Sequence, residues 1–202
     1  LAGQVESRFA LSGRILRAEN QEMVAQLGIE MTPLEEIRPE DYDCVALVDT
    51  QPGFGHTIVP PGCRVDIVID HHLGDVPGVV QAAPFRDVRC DIGATSSLVS
   101  TYFREAGFTP SREVATALAY GIKTDTADLS RNVSELDLRA YDFLFPHVDR
   151  QKLVAITRPQ LPAAYFQTLK EALRKVRRYQ HVALCSLGQI GSAEMVAEVA
   201  DR

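Results

Sequence analysis

The sequence predicts an α/β fold: a three-layer sandwich in which a mostly parallel sheet is flanked by helices. Two short apolar runs, residues 44–48 and 65–69, are typical of strands covered on both faces, and they end at the carboxylates Asp49 and Asp70. Apolar residues at helical spacing follow in residues 93–106, 111–125, 135–145 and 163–179. Short buried strands combined with longer amphipathic helices indicate this class of fold.

The elements before the first apolar run are shorter and more polar. Residues 13–18 predict a strand, and residues 20–27 predict a helix with Asn20 at its N-cap and Gly28 at its end. An acidic segment with two prolines, residues 32–43, then leads into the first apolar run.

The end of the chain predicts a second structural unit. Residues 181–187 predict a strand and residues 192–200 a helix. One strand and one helix cannot close a hydrophobic core, so we expect residues 1–178 to form the main domain and residues 179–202 to begin a second α/β domain. The chain starts at Leu1 without a signal-peptide pattern, and we expect it to belong to a longer protein with further domains. The sequence is also compatible with a homodimer.

The composition limits the classes of partner. A formal net charge of −6 argues against a protein that binds long duplex nucleic acid through many phosphate contacts, whereas a divalent cation would still attract small anionic substrates. No apolar run approaches the length needed to span a membrane. The four cysteines form no C-x-x-C pair, so we expect reduced, mostly buried thiols and a cytoplasmic location.

Chemistry-bearing residues cluster at the ends of the predicted elements. A lone aspartate after a strand is typical of a turn or cap, but Asp70-His71-His72 together after an Ile/Val-rich run favour a metal site. If the two apolar strands are parallel and adjacent, Asp49 meets this tripeptide at the carboxyl edge of the sheet. Asp125, at the end of a predicted helix, completes a set of ligands typical of Mn²⁺ or Mg²⁺.

The two adjacent histidines should have different roles because neighbouring side chains of a strand point in different directions. We expect one to bind metal and the other to face substrate. Asp70 could hydrogen-bond the second nitrogen of the metal-binding imidazole and orient it.

Several other residues have two interpretations each. Arg131 could clamp a phosphate or form a surface ion pair. Thr95 and Ser96 could present a helix N-terminus to an anion or cap that helix. His56 is more typical of an exposed loop than of the site, and Asp137 of a solvated helix surface.

The assembled motifs resemble those of the DHH-family phosphoesterases, which take their name from the tripeptide found here at Asp70-His71-His72. The resemblance extends to residues 48–50 as the second motif, residues 93–96 as a helix start and residues 120–126 as the fourth motif. It covers residues 10–180 in order and spacing, and within the family it is closest to nano-RNase and pAp phosphatase relatives, which are RecJ-like.

The resemblance implies a hydrolase with two Mn²⁺, Mg²⁺ or Co²⁺ ions in the intact enzyme. It implies metal ligation by Asp49, His71 and Asp125, and it implies catalytic roles for His72, which faces the substrate phosphate, and for Asp70. Arg131, Thr95 and Ser96 are then the candidate substrate contacts. The implied reaction is attack of a metal-activated water on a phosphodiester or phosphomonoester of a short oligoribonucleotide or pAp.

Two parts of the family pattern have no counterpart in the chain. The first motif, a histidine with an Asp-x-Asp, is not found before Gly13, and the C-terminal substrate-binding domain is not found through Arg202. We therefore expect this chain to hold metal weakly and to turn over little substrate. Alternatives are a cyclic-dinucleotide, polyphosphate or pyrophosphate hydrolase on the same centre, and a nucleotide-sensing module without catalysis.

Overall fold

A computed structural model describes residues 5–55, 57–74, 83–188 and 193–200. The chain divides into two compact units. The first comprises Leu1–Gly13 and Glu30–Leu153, and the second comprises Arg14–Ile29 and Val154–Arg202. No helix among the described residues is long and apolar enough to cross a membrane.

A parallel three-stranded sheet lies at the centre of the first unit. Its strands are β3 (Ala46–Val48), β4 (Ile67–Asp70) and β5 (Phe85–Val88), in the order β3-β4-β5. A separate parallel pair joins β1 (Phe9–Leu11) to β2 (Met31–Pro33). Short 3₁₀ turns at Leu34–Glu36 and Pro39–Asp41 connect β2 to the main sheet.

Three helices of the first unit pack against one another, and α2 also contacts β4. These helices are α2 (Thr95–Glu105), α3 (Arg112–Asp125) and α4 (Glu135–Leu144). The Ser111 hydroxyl caps α3, and Ser134 with Asp137 forms a capping box at the start of α4. The buried apolar side chains in this layer include Leu98, Ile122 and Leu144.

The second unit contains α1 (Ala18–Leu27), α6 (Ala163–Lys175) and α7 (Ala193–Ala200). It also contains an antiparallel ribbon of β6 (Arg177–Tyr179) and β7 (Val182–Leu184), in which all six residues are exposed. A 3₁₀ turn (Phe145–His147) precedes α5 (Arg150–Thr157), and α5 spans the boundary between the units.

The fold class is confirmed: the molecule is mixed α/β, with parallel sheets flanked by helices, consistent with a three-layer sandwich. The strand predicted at residues 13–18 is wrong, because the described strand is β1 at Phe9–Leu11 and α1 starts at Ala18. Arg17 stands at the N-cap of α1 in place of Asn20, whereas Gly28 ends the helix in the left-handed conformation as expected.

Two further expectations about burial are wrong. Val48 of β3 is 51% exposed and Ala46 is also exposed, so β3 is not covered on both faces by the described residues. The cysteines are free, but Cys44, Cys90 and Cys185 are exposed and Cys63 is half-buried. The predicted final strand and helix correspond to β7 and α7, although residues 189–192 and 201–202 lie outside the described part of the chain.

Candidate metal centre

The parallel pairing of β3 with β4 builds the candidate metal centre. Val48 pairs with Ile69, and the backbone N–H of Asp49 donates to the Ile69 carbonyl at 2.9 Å. Asp49 and the tripeptide that starts at Asp70 therefore leave the sheet at the same carboxyl edge, as the sequence predicted. Asp49 itself has φ of 63°, a left-handed conformation that aspartate tolerates better than most residues.

His71 is oriented by the segment that leads into α2. Its Nδ1 lies 3.4 Å from the Ile92 carbonyl oxygen, which can only accept, so Nδ1 carries the proton. Nε2 lies on the other side of the ring. This nitrogen faces two carboxylates, with Asp49 Oδ1 at 3.6 Å and Asp125 Oδ2 at 4.0 Å. The imidazole of His71 thus lies within 4.0 Å of carboxylate oxygens from two different elements.

Asp125 reaches this space from the last residue of α3. Burial, together with the nearby charge of Asp49, raises the pKa of Asp125 to about 6, although His71 and His72 act in the opposite direction. The shift shows that this carboxylate stands in a negative, poorly solvated environment. A bound cation would relieve that repulsion.

His72 belongs to a different network. Its Nδ1 lies 2.8 Å from Asp70 Oδ1, and Asp70 is fully buried. The second oxygen of Asp70 accepts from Gln51 Nε2 at 2.7 Å, and the same amide nitrogen lies 3.1 Å from the His72 carbonyl oxygen. The result is a chain of contacts from Gln51 through Asp70 to His72.

The titration of this pair follows from the same contacts. Burial alone lowers the pKa of His72, but the hydrogen bond and charge of Asp70 and the charges of Asp49 and Asp125 outweigh it and raise the pKa. Burial alone raises the pKa of Asp70, but donors from His72, Gln51 and the backbone outweigh it and lower the pKa. Asp70 is therefore an ionised acceptor for His72.

The prediction that Asp70 hydrogen-bonds one of the two imidazoles is met at His72. Asp70 bonds His72, the histidine predicted to face substrate, and the Ile92 carbonyl bonds His71 instead. The two imidazole rings lie close together, with centroids 4.4 Å apart and planes inclined by 62°, so the division of roles between the two histidines stays a prediction. Asp49, His71 and His72 offer ligand atoms that all lie within 4.8 Å of one another.

Gln51 was not predicted from the sequence. It is fully buried although its surroundings in the sequence, residues 50–55, are typical of an exposed turn. Its partner Asp70 lies 19 residues away, so no local pattern indicates the contact. Its Oε1 finds no hydrogen-bond partner among the described residues.

The three residues predicted to contact substrate, Thr95, Ser96 and Arg131, differ in burial and in surroundings. Thr95 is 2% exposed in the first turn of α2, and its hydroxyl has no partner among the described residues. The Ser96 hydroxyl lies against Gly121 of α3, in the space that a Cβ of that residue would take. Arg131 is exposed on the turn after α3. Their roles in substrate binding stay predictions, and His56 lies outside the described residues.

Asp137 corrects the expectation of a solvated helix surface, because this carboxylate is fully buried. Its Oδ2 accepts from the backbone N–H of Gly93 at 2.8 Å and from both the backbone N–H and the hydroxyl of Ser134. One carboxylate thus holds the start of α4 and the segment before α2, next to the carbonyl that orients His71.

Comparisons with known proteins give similarity of sequence and of fold. No protein-family model matches the chain. An uncharacterised protein of Methanocaldococcus jannaschii is 33% identical over 198 residues, which are 98% of this chain. The chain spans 40% of the length of that curated relative.

A solved structure of an exopolyphosphatase-related protein from Bacteroides fragilis matches with a TM-score of 0.53 and 18% identity. The match covers 69% of this chain and 41% of that protein. At this identity the likeness concerns the fold. The chain therefore has a fold related to that of the exopolyphosphatase-related protein, with an aspartate–histidine cluster at the carboxyl edge of its sheet.

Proposed function

We propose that the chain carries part of a metal-dependent phosphoesterase centre of the DHH type. One observation carries the proposal: Nε2 of His71 lies 3.6 Å from Asp49 Oδ1 and 4.0 Å from Asp125 Oδ2, while Nδ1 faces the Ile92 carbonyl. One imidazole nitrogen and two carboxylates at these separations form a ligand set that suits a divalent cation.

The donor set fits such an ion. Two ligands of an ion with bonds of about 2.1 Å lie at most about 4.2 Å apart. The separations of 3.6 Å and 4.0 Å around His71 Nε2 fall within that limit. Mixed imidazole and carboxylate ligands suit Mn²⁺, Mg²⁺ or Co²⁺. Two such ions in the intact enzyme, as the DHH resemblance implies, are part of the proposal.

The residues around the ion have separate roles in the proposed reaction. Asp49, His71 and Asp125 bind metal, and a bound cation supplies Lewis-acid activation of water and of the phosphoryl oxygens. His72 keeps Nε2 directed away from Asp70, because Nδ1 is held by that carboxylate at 2.8 Å. Its raised pKa favours a protonated imidazole, which can donate to a phosphate oxygen or to the leaving group. Asp70 orients His72.

The proposed substrates are short oligoribonucleotides or pAp, with Arg131, Thr95 and Ser96 as further contacts. A second candidate, polyphosphate or pyrophosphate hydrolysis on the same centre, is supported by the description of the fold neighbour as exopolyphosphatase-related. Both reactions use the same metal centre and differ in how the remainder of the substrate is held.

The proposal also includes a domain boundary. Residues 1–178 would form the phosphoesterase domain and residues 179–202 would begin a substrate-binding domain. Support comes from the β6–β7 ribbon, whose side chains Tyr179, Val182 and Leu184 are more than half exposed. A two-stranded ribbon of this kind gains stability when further strands or helices cover it.

Calorimetric titration with Mn²⁺ tests the metal centre. We expect measurable binding by the wild-type chain and at least about tenfold weaker binding by His71→Ala, since even the loss of an outer-shell partner typically costs that much. His181→Ala is the matched control, because His181 is exposed in the second unit. Equal affinity in wild type and His71→Ala would refute the centre.

Hydrolysis of bis-p-nitrophenyl phosphate, a short oligoribonucleotide and pyrophosphate with Mn²⁺ then tests the reaction. The same two variants are compared in this chain and in the full-length protein. Loss of Mn²⁺-dependent turnover in His71→Ala alone supports the phosphoesterase. Tight Mn²⁺ binding without turnover of any of the three substrates by the full-length protein would favour the nucleotide-sensing alternative.

A further inference from the structure

The loop after β3 contains a tight turn with Pro52 and Gly53 at its two central positions. The backbone N–H of Phe54 closes the turn by donating to the Gln51 carbonyl at 3.3 Å. Gly53 has φ of 89°, the left-handed value that the third residue of a type II turn requires, and proline is favoured at the second. Gln51 and Pro52 are buried, so the turn is anchored where it starts. The local sequence therefore fixes where Phe54 stands.

The ring of Phe54 contacts the imidazole of His72. The two centroids lie 6.3 Å apart and the planes are inclined by 87°, an edge-to-face arrangement that aromatic pairs favour. The same imidazole lies beside the ring of His71, and Asp70 holds its Nδ1 at 2.8 Å. The side chain of His72 is nevertheless 45% exposed. The imidazole is thus constrained by two rings and one carboxylate while part of it stays accessible to a substrate.

Gly74 leaves the space in which the ring of Phe54 lies. A Cβ at this glycine would stand 3.0 Å from Cε1 and 3.3 Å from Cζ of Phe54. A side chain at position 74 would therefore displace the ring by a few tenths of an ångström. Gly74 also has φ of 144°, a conformation that favours glycine. The loop after β3 and the loop after β4 thus fit together through one ring and one missing side chain.

We propose that Phe54 is a positioning residue of the phosphoesterase reaction, and that its ring, seated against Gly74, holds the imidazole of His72 in the orientation that meets the substrate phosphate. This inference rests on the proposed function and adds a residue that binds neither metal nor phosphate. A misplacement of about 1 Å in a reacting group can cost about 10²-fold in rate. Removal of the ring should therefore slow the chemical step and leave metal binding unchanged.

Nuclear magnetic resonance tests the geometry without any turnover. The ring protons of Phe54 and His72 should show a nuclear Overhauser effect in the wild-type chain, because a perpendicular pair with this separation brings the rings into contact. His72→Gln identifies the signals of His72. Phe143 and His147, whose centroids are also 6.3 Å apart, serve as the reference pair. An effect in the reference pair without one between Phe54 and His72 would refute the proposal.

Kinetics of the full-length protein with Mn²⁺ test the role of the ring. Phe54→Ala should lower kcat at least about tenfold for bis-p-nitrophenyl phosphate and for a short oligoribonucleotide, with KM changed less than about twofold. Phe54→Tyr keeps the ring and should retain most of kcat. Phe143→Ala is the matched control, because it removes a ring from an equivalent histidine pair outside the site, and it should leave kcat unchanged.

Two further measurements separate a positioning role from a structural one. Calorimetry should give the same Mn²⁺ affinity for wild type and for all three variants. Thermal melts followed by circular dichroism verify that each variant is folded, and Phe54→Leu takes the place of Phe54→Ala if the latter does not fold. A loss of kcat that only follows a loss of folded protein would contradict the positioning role.

Gly74→Ala tests whether the two loops act together. The added methyl group displaces the ring of Phe54, so this variant alone should lower kcat severalfold. In the Phe54→Ala background the ring is absent, and the same change should have little further effect on kcat. Independent, multiplicative losses from the two substitutions would contradict the seating of the ring against Gly74.

The outcomes distinguish this proposal from the proposed function. Absence of Mn²⁺-dependent turnover in the wild-type full-length protein would refute the phosphoesterase and any role of Phe54 in it. Normal turnover that Phe54→Ala leaves unchanged would refute only the role of Phe54. A rise in KM at constant kcat would also refute it, because that result indicates a contact with bound substrate rather than an oriented imidazole.

Discussion

Gln51 Nε2 lies 2.7 Å from Asp70 Oδ2, and neither side chain is accessible to solvent. The other oxygen of Asp70, Oδ1, contacts Nδ1 of His72. The amide of Gln51 and the imidazole of His72 therefore hold the two oxygens of one carboxylate. The orientation of a candidate catalytic histidine thus depends on a residue in the loop that follows β3.

The Gln51→Leu variant should be less stable than wild type. It leaves a buried, ionised oxygen of Asp70 without its side-chain donor, which costs about 1–3 kcal/mol of unfolding free energy. Urea unfolding followed by circular dichroism measures the change. Gln167→Leu, on the exposed face of α6, serves as control and should shift stability by less than about 0.5 kcal/mol. Equal midpoints for the two variants would contradict the role of Gln51.

Asp137 should make the fold sensitive to acid. Burial alone raises its pKa, but hydrogen bonds from the hydroxyl and backbone N–H of Ser134 and from the backbone N–H of Gly93 outweigh it, so the folded-state pKa is lowered. The stabilisation is therefore complete above the unfolded-state pKa of about 3.9 and is lost as the pH falls through the folded-state pKa.

Urea unfolding between pH 7 and about pH 2.5 measures this effect. Asp137→Asn should lose about 1–3 kcal/mol at pH 7 and should show a weaker decline in stability with acid than wild type. Asp142→Asn, a position on the same helix that is less buried, should behave like wild type. A parallel decline of the unfolding free energy with acid in Asp137→Asn and in wild type would contradict this role of Asp137.

Gly93→Ala should destabilise the protein because the added Cβ has no space. It would stand 2.6 Å from Thr126 Cγ2 and 2.7 Å from the Asn132 carbonyl oxygen. The carbonyl belongs to the backbone and cannot rotate away, so we expect a loss of about 1–3 kcal/mol in thermal or urea unfolding. Gly55→Ala is the matched control, since no atom of the described residues lies within 4 Å of the position that its added methyl group would take. Similar stability of the two variants would show that residues 93 and 132 separate freely.

The turn after α3 should gain stability from a glycine. Ala127, Asp128 and Leu129 all have positive φ, with values of 46°, 57° and 62°. Each left-handed residue other than glycine costs about 1–2 kcal/mol, so Ala127→Gly should raise the unfolding free energy by about 0.5–1 kcal/mol. The same change in the exposed first turn of α6, Ala164→Gly, should lower it by a similar amount. Effects of the same sign would contradict this account.

The parts of the molecule that the sequence predicted well are those with a local signal. β3 and β4 are recognisable as apolar runs, and the ends of α2, α3 and α4 are marked by glycine or serine. The expected parallel pairing of β3 with β4 made the approach of Asp49 to the tripeptide foreseeable. β5 was missed because its residues, Phe-Arg-Asp-Val, have no apolar face: two of the four are exposed.

The remainder of the site depends on contacts between distant positions. Gln51 meets Asp70 across 19 residues, and Asp137 meets Gly93 across 44 residues. The polarity of Gln51 and Asp137 favours a surface position, and only the tertiary partners make their burial favourable. The pairing of Asp70 with His72 rather than His71 is likewise a matter of side-chain direction at the end of β4.

The contact between Asp137 and Gly93 has a consequence for folding. The carbonyl that orients His71 belongs to residue 92, and the next residue is fixed by a carboxylate that arrives only when α4 has docked. Bringing the two ends of the segment between Gly93 and Asp137 together costs conformational entropy before their contact can form. Such long-range contacts are therefore expected to form late. We therefore expect the imidazole of His71 to acquire its final orientation late in folding, when α4 docks.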